Sequence, residues 1–309
     1  MNAQVALRLG SRRSPMAVAQ SRQVAERITQ ATGRQVEIVG VTTLGDVSRA
    51  QLTQIGGTGV FVSALREALL AGDVDLAVHS LKDLPSVQPG DIELAAVPPR
   101  DDPRDVLIGR DDAKLADLPA GARVGTGSPR RIAQLLALRP DLRCLPIRGN
   151  AGTRMGKIAA GEVDAVVLAY AGLSRLRTLD AVSQVFELDE MLPAPGQGAL
   201  AVECRADDPR TAELLAAIND EASMRAVAAE RSLLAALGAG CSAPVAGYAH
   251  AVGDGLVVLS AAVLSTDGSR VLRANGTPAL DPVQLGRDVA AELLRSGAAE
   301  LMDIGNEKQ

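Results

Sequence analysis

The chain has 309 residues, more than one ordinary hydrophobic core accommodates, so two or three domains of about 100–200 residues each are expected. Apolar residues make up 47% of it but aromatics only 1%, and the net charge is −5, which excludes a basic, base-stacking nucleic-acid surface. Apolar runs fall far short of the roughly 20 residues of a membrane span, the N-terminus lacks a signal-peptide layout, and three scattered cysteines and two histidines match neither disulfide nor metal spacing; a soluble, cytoplasmic, metal-free protein is expected.

VALRL (5–9) reads as a buried strand, and Ser14-Pro15 as the cap and first turn of a helix with Ala17, Val24, Ala25 and Ile28 on its apolar face. QVEIVGV (35–41) is the next strand, and GGTG (56–59) opens a helix that leads to the short buried strand VDLAV (74–78). The alternation then recurs, with strand RVGT (123–126), a helix from Ser128, a strand around 142–147, a helix near 153–160 and strand VDAVVLA (163–169). GEVDAVV (161–167) echoes GDVDLAV (72–78) 89 residues on, so two similar α/β domains are implied. Between and after them, VPPRDDPRD (97–105) and MLPAPGQGA (191–199) read as two crossovers, and ALAVEC (199–204) as a strand returning to the first sheet; this arrangement predicts a hinged cleft. From about Glu221 a long helix ends at LGAG (237–240), followed by strands near 244–250, 256–264 and 270–274 and a last helix capped by Asp281-Pro282, before a polar tail after Ile304.

The expected domains are 1–98 with 199–218, 104–192, and 221–309, the last a small α+β unit.

Arginine pairs stand at two strand-to-helix turns, SRRSP (11–15) and GSPRR (127–131), where the helix macrodipole disfavours cations. A bound anion would account for both, as would simple exposure on a chain with 28 Arg against four Lys. RGNAGTR (148–154) adds a third such turn. Lys82 and Asp83 follow a buried strand, where open α/β sheets bind ligands; they suit either a surface ion pair or stabilisation of a developing positive charge. Cys241 lies in the glycine-rich turn LGAGCSAP (237–244), outside any periodic apolar run, whereas Cys144 and Cys204 lie in strand-like segments.

Taken in order, RLGSRRSPMA, AVHSLKDLP, DDPRD, VGTGSPRR, RGNAGTR, LPAPGQGA, AVECR and GAGCSAP resemble hydroxymethylbilane synthases, also called porphobilinogen deaminases, along nearly the whole chain. The resemblance implies two periplasmic-binding-protein-like α/β domains joined by two hinge crossovers, plus a small C-terminal α+β domain. It implies a cytoplasmic, monomeric transferase of tetrapyrrole biosynthesis that joins four porphobilinogen molecules head to tail with release of ammonia, on a dipyrromethane primer held as a thioether. By the same resemblance Cys241 carries that cofactor, one per chain, Asp83 and Lys82 are the catalytic residues, and Asp83 also contacts the cofactor. Lys82, Ser80, Ser128, Arg130, Arg131 and Arg148 match cofactor-holding positions. Arg12, Ser14, Arg148, Arg154 and Arg175 match positions that hold substrate acetate and propionate groups, and Gln197 and Gly198 match the loop of the second crossover. Gln54 and Thr58 stand where many members have lysine, so no charged contact is expected from the loop at 54–61. A non-enzymatic periplasmic-binding-type anion-binding module is the alternative, and it has no use for Cys241.

Overall fold

The computed structural model describes residues 6–41, 59–240 and 243–303. Cys241, the loop positions Gln54 and Thr58, and the tail from Ile304 lie outside the described residues. The chain divides into two compact units, residues 1–100 with 199–224 and residues 101–198 with 225–309.

In the first unit, β1 (Leu7–Ser11) leads into α1 (Pro15–Thr32), whose entry is fixed by the Ser14 side chain accepting from Ala17 N and by proline in the first turn. Gly33 ends α1 at φ +69°, its N–H donating to Thr29 O, a left-handed cap that glycine adopts without strain. Then come β2 (Val36–Gly40), α2 (Gly59–Leu70), β3 (Leu76–Ser80) and β4 (Ile92–Ala96). After the excursion into the second unit the chain returns as β10 (Leu200–Arg205) and α6 (Pro209–Ala216). The sheet order is β2-β1-β3-β10-β4, with β1 parallel to β2 and β3, and β10 antiparallel to β3 and β4. Leu7, Leu9, Val24, Ile28, Leu76 and Val202 pack on one face, and Leu65, Leu69, Val74 and Ala77 on the other, so both faces of the sheet are covered.

The second unit repeats this plan. It contains β5 (Asp105–Gly109), β6 (Arg123–Gly125), α3 (Pro129–Leu138), β7 (Arg143–Leu145), α4 (Ala151–Ala159), β8 (Ala165–Ala169), α5 (Tyr170–Arg175) and β9 (Gln184–Val185). The order β7-β6-β8-β5-β9 places β5 antiparallel beside β8, the position that β10 holds in the first sheet. The same unit carries a separate antiparallel sheet of β11 (Val245–Ala251), β12 (Val257–Leu264) and β13 (Val271–Asn275). It packs with α7 (Glu221–Ala236), α8 (Pro282–Arg295) and α9 (Ala298–Asp303) around Leu233, Leu259, Val263, Leu285, Val289, Leu293 and Leu301. The fold is therefore mixed α/β with two similar sheets and a small C-terminal α+β element.

ALAVEC does return to the first sheet, as β10. Strands β4, β5 and β9 and helices α5, α6 and α9 have no counterpart in the sequence reading. For β5, DVLIG offers only three consecutive apolar residues behind a charged, proline-containing run, too short a pattern to signal a strand. No helix among the described residues is long and apolar enough to cross a membrane.

Candidate active site

In the first unit the site residues gather at the carboxyl end of β3. Ser80 closes the strand, and Leu81–Asp83 form one 3₁₀ turn anchored by the buried Leu81. The Ser80 hydroxyl accepts from the buried Gln20 Nε2 at 2.7 Å, which ties this end of the strand to α1. Lys82 and Asp83 are both half-buried, and the Asp83 carboxylate makes no hydrogen bond or ion pair with any described residue. Arg12 is half-buried in the turn after β1, and Ser14 is engaged as the α1 cap.

In the second unit the sites meet at the start of α3. Ser128 occupies its N-cap position, but its hydroxyl makes no capping bond, and its backbone N–H donates to Thr126 Oγ1 at 3.3 Å. Arg130 and Arg131 turn inward, 3% and 6% exposed, onto the fully buried Asp105. Arg131 Nη2 and Nε lie 2.7 and 3.1 Å from Asp105 Oδ1, and Arg130 Nη1 lies 2.8 Å from Oδ2. Burial alone would raise the Asp105 pKa, but attraction and hydrogen bonds from the two guanidinium groups reverse it and hold the carboxyl well below the usual range. Arg130 Nε is buried without an acceptor.

Arg154 donates to Gly149 O at 2.8 Å and has no anionic partner among the described residues. Burial, and then repulsion from Arg131, lower its pKa. Arg148 is exposed and makes no hydrogen bond or ion pair among the described residues. Arg175 is engaged internally, with Nη2 2.7 Å from both Asp101 Oδ2 and Gly198 O. Gly198 itself sits at φ +88°, and a Cβ there would approach Asp101 O to 2.5 Å, so no other residue fits where the two crossovers touch. Gln197, 1% exposed, donates from Nε2 to Asp105 Oδ1 at 2.9 Å and to Pro103 O at 2.7 Å.

Sequence comparison identifies what this arrangement belongs to. A family model described as "Porphobilinogen deaminase, dipyromethane cofactor binding domain" matches residues 7–213, and its partner "Porphobilinogen deaminase, C-terminal domain" matches residues 224–295. The chain belongs to the porphobilinogen deaminase family. The porphobilinogen deaminase of Thermobifida fusca (strain YX) is 59% identical over 304 residues, covering 96% of this chain and 95% of that one. Porphobilinogen deaminase 1 of Streptomyces coelicolor is 54% identical over 310 residues, covering 96% and 97%. Among solved structures, the periplasmic VFT2 domain of Bordetella pertussis BvgS aligns at a TM-score of 0.41 and 18% identity, covering 69% of this chain and 86% of that one.

A porphobilinogen deaminase carries a dipyrromethane cofactor, and the donors at α3 suit a group bearing several carboxylates. Among the described residues the Ser128 hydroxyl has no partner, Arg148 and Arg154 have no anionic partner, and Arg130 keeps a buried N–H without an acceptor. Cys204 is fully buried on β10 and Cys144 half-buried on β7, and burial pushes both thiols up to about 11, far from the reactive thiolate. Three buried carboxylates escaped the sequence reading: Asp105, Glu203 and Glu230, the last accepting from Gly196 N and Ala249 N. Asp105 lies within the quoted motif DDPRD, where a charge beside an apolar run was the only signal; Glu203 lies within AVECR, its partners far away in sequence.

Proposed function

We propose that Asp83 is the catalytic carboxylate with which this enzyme polymerises porphobilinogen for tetrapyrrole biosynthesis, and that Cys241 carries its dipyrromethane. One observation supports Asp83 above the rest: a half-buried carboxylate at the ligand-binding end of a strand, without a hydrogen bond or ion pair to any described residue. Departure of ammonia with the C–N electron pair leaves positive charge on the pyrrole, and formation of the next C–C bond regenerates a charged ring that must lose a proton. A fixed carboxylate lowers the energy of both charged stages and can accept that proton. Lys82 and Arg12, with Ser80 and Ser14, serve carboxylate groups near Asp83. At α3, Ser128, Arg148 and Arg154 give direct hydrogen bonds, while Arg130, Arg131 and Arg175 add positive charge and whatever N–H groups their internal partners leave available. Gln197 and Gly198 hold the second crossover. The cofactor, when bound, supplies the terminal pyrrole carbon to which the first substrate is joined. A cytoplasmic monomer with porphobilinogen as its small-molecule partner, and neither nucleic acid nor membrane, completes the proposal; it follows the family resemblance.

Two measurements test it. Asp83→Asn keeps the shape without the charge, so it should fold, retain the cofactor mass, and release ammonia from porphobilinogen roughly 100- to 1000-fold more slowly. Near-normal turnover with cofactor confirmed would remove Asp83 from the chemistry. Cys241→Ala should show no covalent adduct by denaturing mass spectrometry, while Cys144→Ala and Cys204→Ala keep it. An adduct surviving on the Cys241 variant would sink the attachment site.

A further inference from the structure

We infer that Asp105 is the positioning residue of the arginine site at α3: one buried carboxylate that both arginines and Gln197 grip, and that fixes where the guanidinium groups point. This rests on the proposal that the α3 arginines serve substrate and cofactor carboxylates. Asp105 is the first residue of β5 and fully buried, and its two oxygens meet Arg131 Nε, Arg131 Nη2, Gln197 Nε2 and Arg130 Nη1 within 2.7–3.1 Å. Arg131 is held on its other edge too, and Arg130 by a second contact of the same Nη1. Arg131 Nη1 donates to Val167 O of β8 at 2.9 Å, and Arg130 Nη1 to Leu192 O at 2.7 Å. Leu192 is itself clamped by Gln134 of α3, whose Oε1 accepts from Leu192 N at 2.8 Å and whose Nε2 donates to Leu192 O at 3.0 Å. Asp105 thus draws together the end of the first crossover, the second crossover, β8 and the first turn of α3.

Two like charges adjacent in sequence at the positive end of a helix repel each other and the helix dipole. A single buried carboxylate between them relieves this, yet leaves the cluster net cationic, as an anion site requires. Two roles for Asp105 can be told apart, because they predict opposite signs. If it merely balanced charge, removing it would make the site more positive and bind an anionic substrate more tightly. If it positions the forks, removing it frees two mutually repelling guanidinium groups, and binding weakens although the site has gained positive charge.

The experiment compares holoenzyme forms of wild type, Asp105→Asn, Asp105→Glu and Arg131→Leu. The readouts are KM and kcat for porphobilinogen, cofactor occupancy by denaturing mass spectrometry, and the urea midpoint. Asp105→Asn should raise KM or lower occupancy roughly tenfold or more, the equivalent of one charge-assisted hydrogen bond. Asp105→Glu keeps the charge but displaces it by one methylene, so it should shift the same quantities in the same direction by less; a charge-balance role leaves it at wild type. An unchanged or lowered KM together with normal cofactor occupancy for Asp105→Asn, with Arg131→Leu impaired, overturns the positioning role and leaves the arginine reading intact. If Arg131→Leu binds normally, the arginine reading itself fails and takes this inference with it. Should Asp105→Asn not fold, Asp105→Glu decides; if neither folds, Asp105 is an ordinary core ion pair and the inference is lost.

Discussion

The two α/β sheets are built alike and differ in where each buries its negative charge. In both, a central antiparallel strand brings in one fully buried carboxylate, Glu203 on β10 and Asp105 on β5, and in both an arginine meets it. Glu203 lies opposite Ala77, the second residue of β3, and its oxygens take Arg66 Nη2 at 2.7 Å, Arg66 Nε at 3.0 Å and Gln88 Nε2 at 2.9 Å, with His79 Nε2 3.3 Å away. Asp105 lies opposite Ala169, at the carboxyl end of β8, where ligands of such sheets bind. The helix caps diverge in the same sense: the Ser14 hydroxyl caps α1, and that of Ser128 makes no capping bond at α3. One scaffold thus carries the same pairing twice, once in its core and once at its working edge.

The largest effect expected from breaking this comparison is at Glu203. Glu203→Ala leaves Arg66 and His79 buried without their carboxylate, and removing one partner of a buried ion pair costs about 3–5 kcal/mol. The loss is read from the urea midpoint of the first unit's transition, and the enzyme that remains folded should keep a KM close to wild type, the opposite profile to Asp105. The pH dependence follows. Burial acts to raise the Glu203 pKa, but hydrogen bonds from Arg66, His79 and Gln88 prevail and set it at about 2, against an ordinary value of 4.5. A depressed carboxylate stabilises the fold above its unfolded pKa and ceases to do so as pH falls through the folded one. The stability difference between wild type and Glu203→Gln should therefore shrink between pH 4.5 and pH 2, measured as Tm against pH. A difference that stays constant through that window would show that the charge of Glu203 contributes nothing.

Much of this architecture can be read along the chain, and what cannot shares a physical cause. Runs such as VDLAV and VDAVV announce strands because burial on both faces requires continuous apolar residues. Ser14-Pro15 and Asp281-Pro282 announce helix starts because capping is local: the Asp281 side chain accepts from Val283 N and Gln284 N, two and three residues on. The arginines at α3 were legible only as an anomaly, a broken dipole rule. Their explanation lies in Asp105, 26 residues before Arg131, and Gln197, 92 residues beyond Asp105, separations that no local spacing encodes. Glu203 likewise meets Arg66 across 137 residues. Strand β9 has two residues and exists only because β5 offers it an edge.

The smallest expected effect tests how far the two halves remain equivalent. At the base of β1, Asp75 accepts from Arg8 N at 2.8 Å, Nε at 3.2 Å and Nη2 at 2.7 Å; at the base of β6, Asp164 accepts from Arg123 N at 2.8 Å, Nε at 3.1 Å and Nη2 at 2.8 Å. The two aspartates are the ones that the GDVDLAV and GEVDAVV segments place 89 residues apart. Their arginines are 41% and 39% exposed, so solvent screens each clamp and each contributes little to stability. Asp75→Asn and Asp164→Asn should shift the urea midpoints of their own units slightly and by similar amounts. Each aspartate feels a second arginine: Arg110 Nη2 lies within ion-pair distance of Asp164, at 3.5 Å, whereas Arg205 attracts Asp75 without an ion-pair contact among the described residues, and salt screens both. The two losses should therefore agree near physiological ionic strength and separate at low salt, with Asp164→Asn the larger. Urea-midpoint shifts that already differ clearly at physiological salt would mean that matching geometry does not carry matching energy, and that the two clamps are not equivalent.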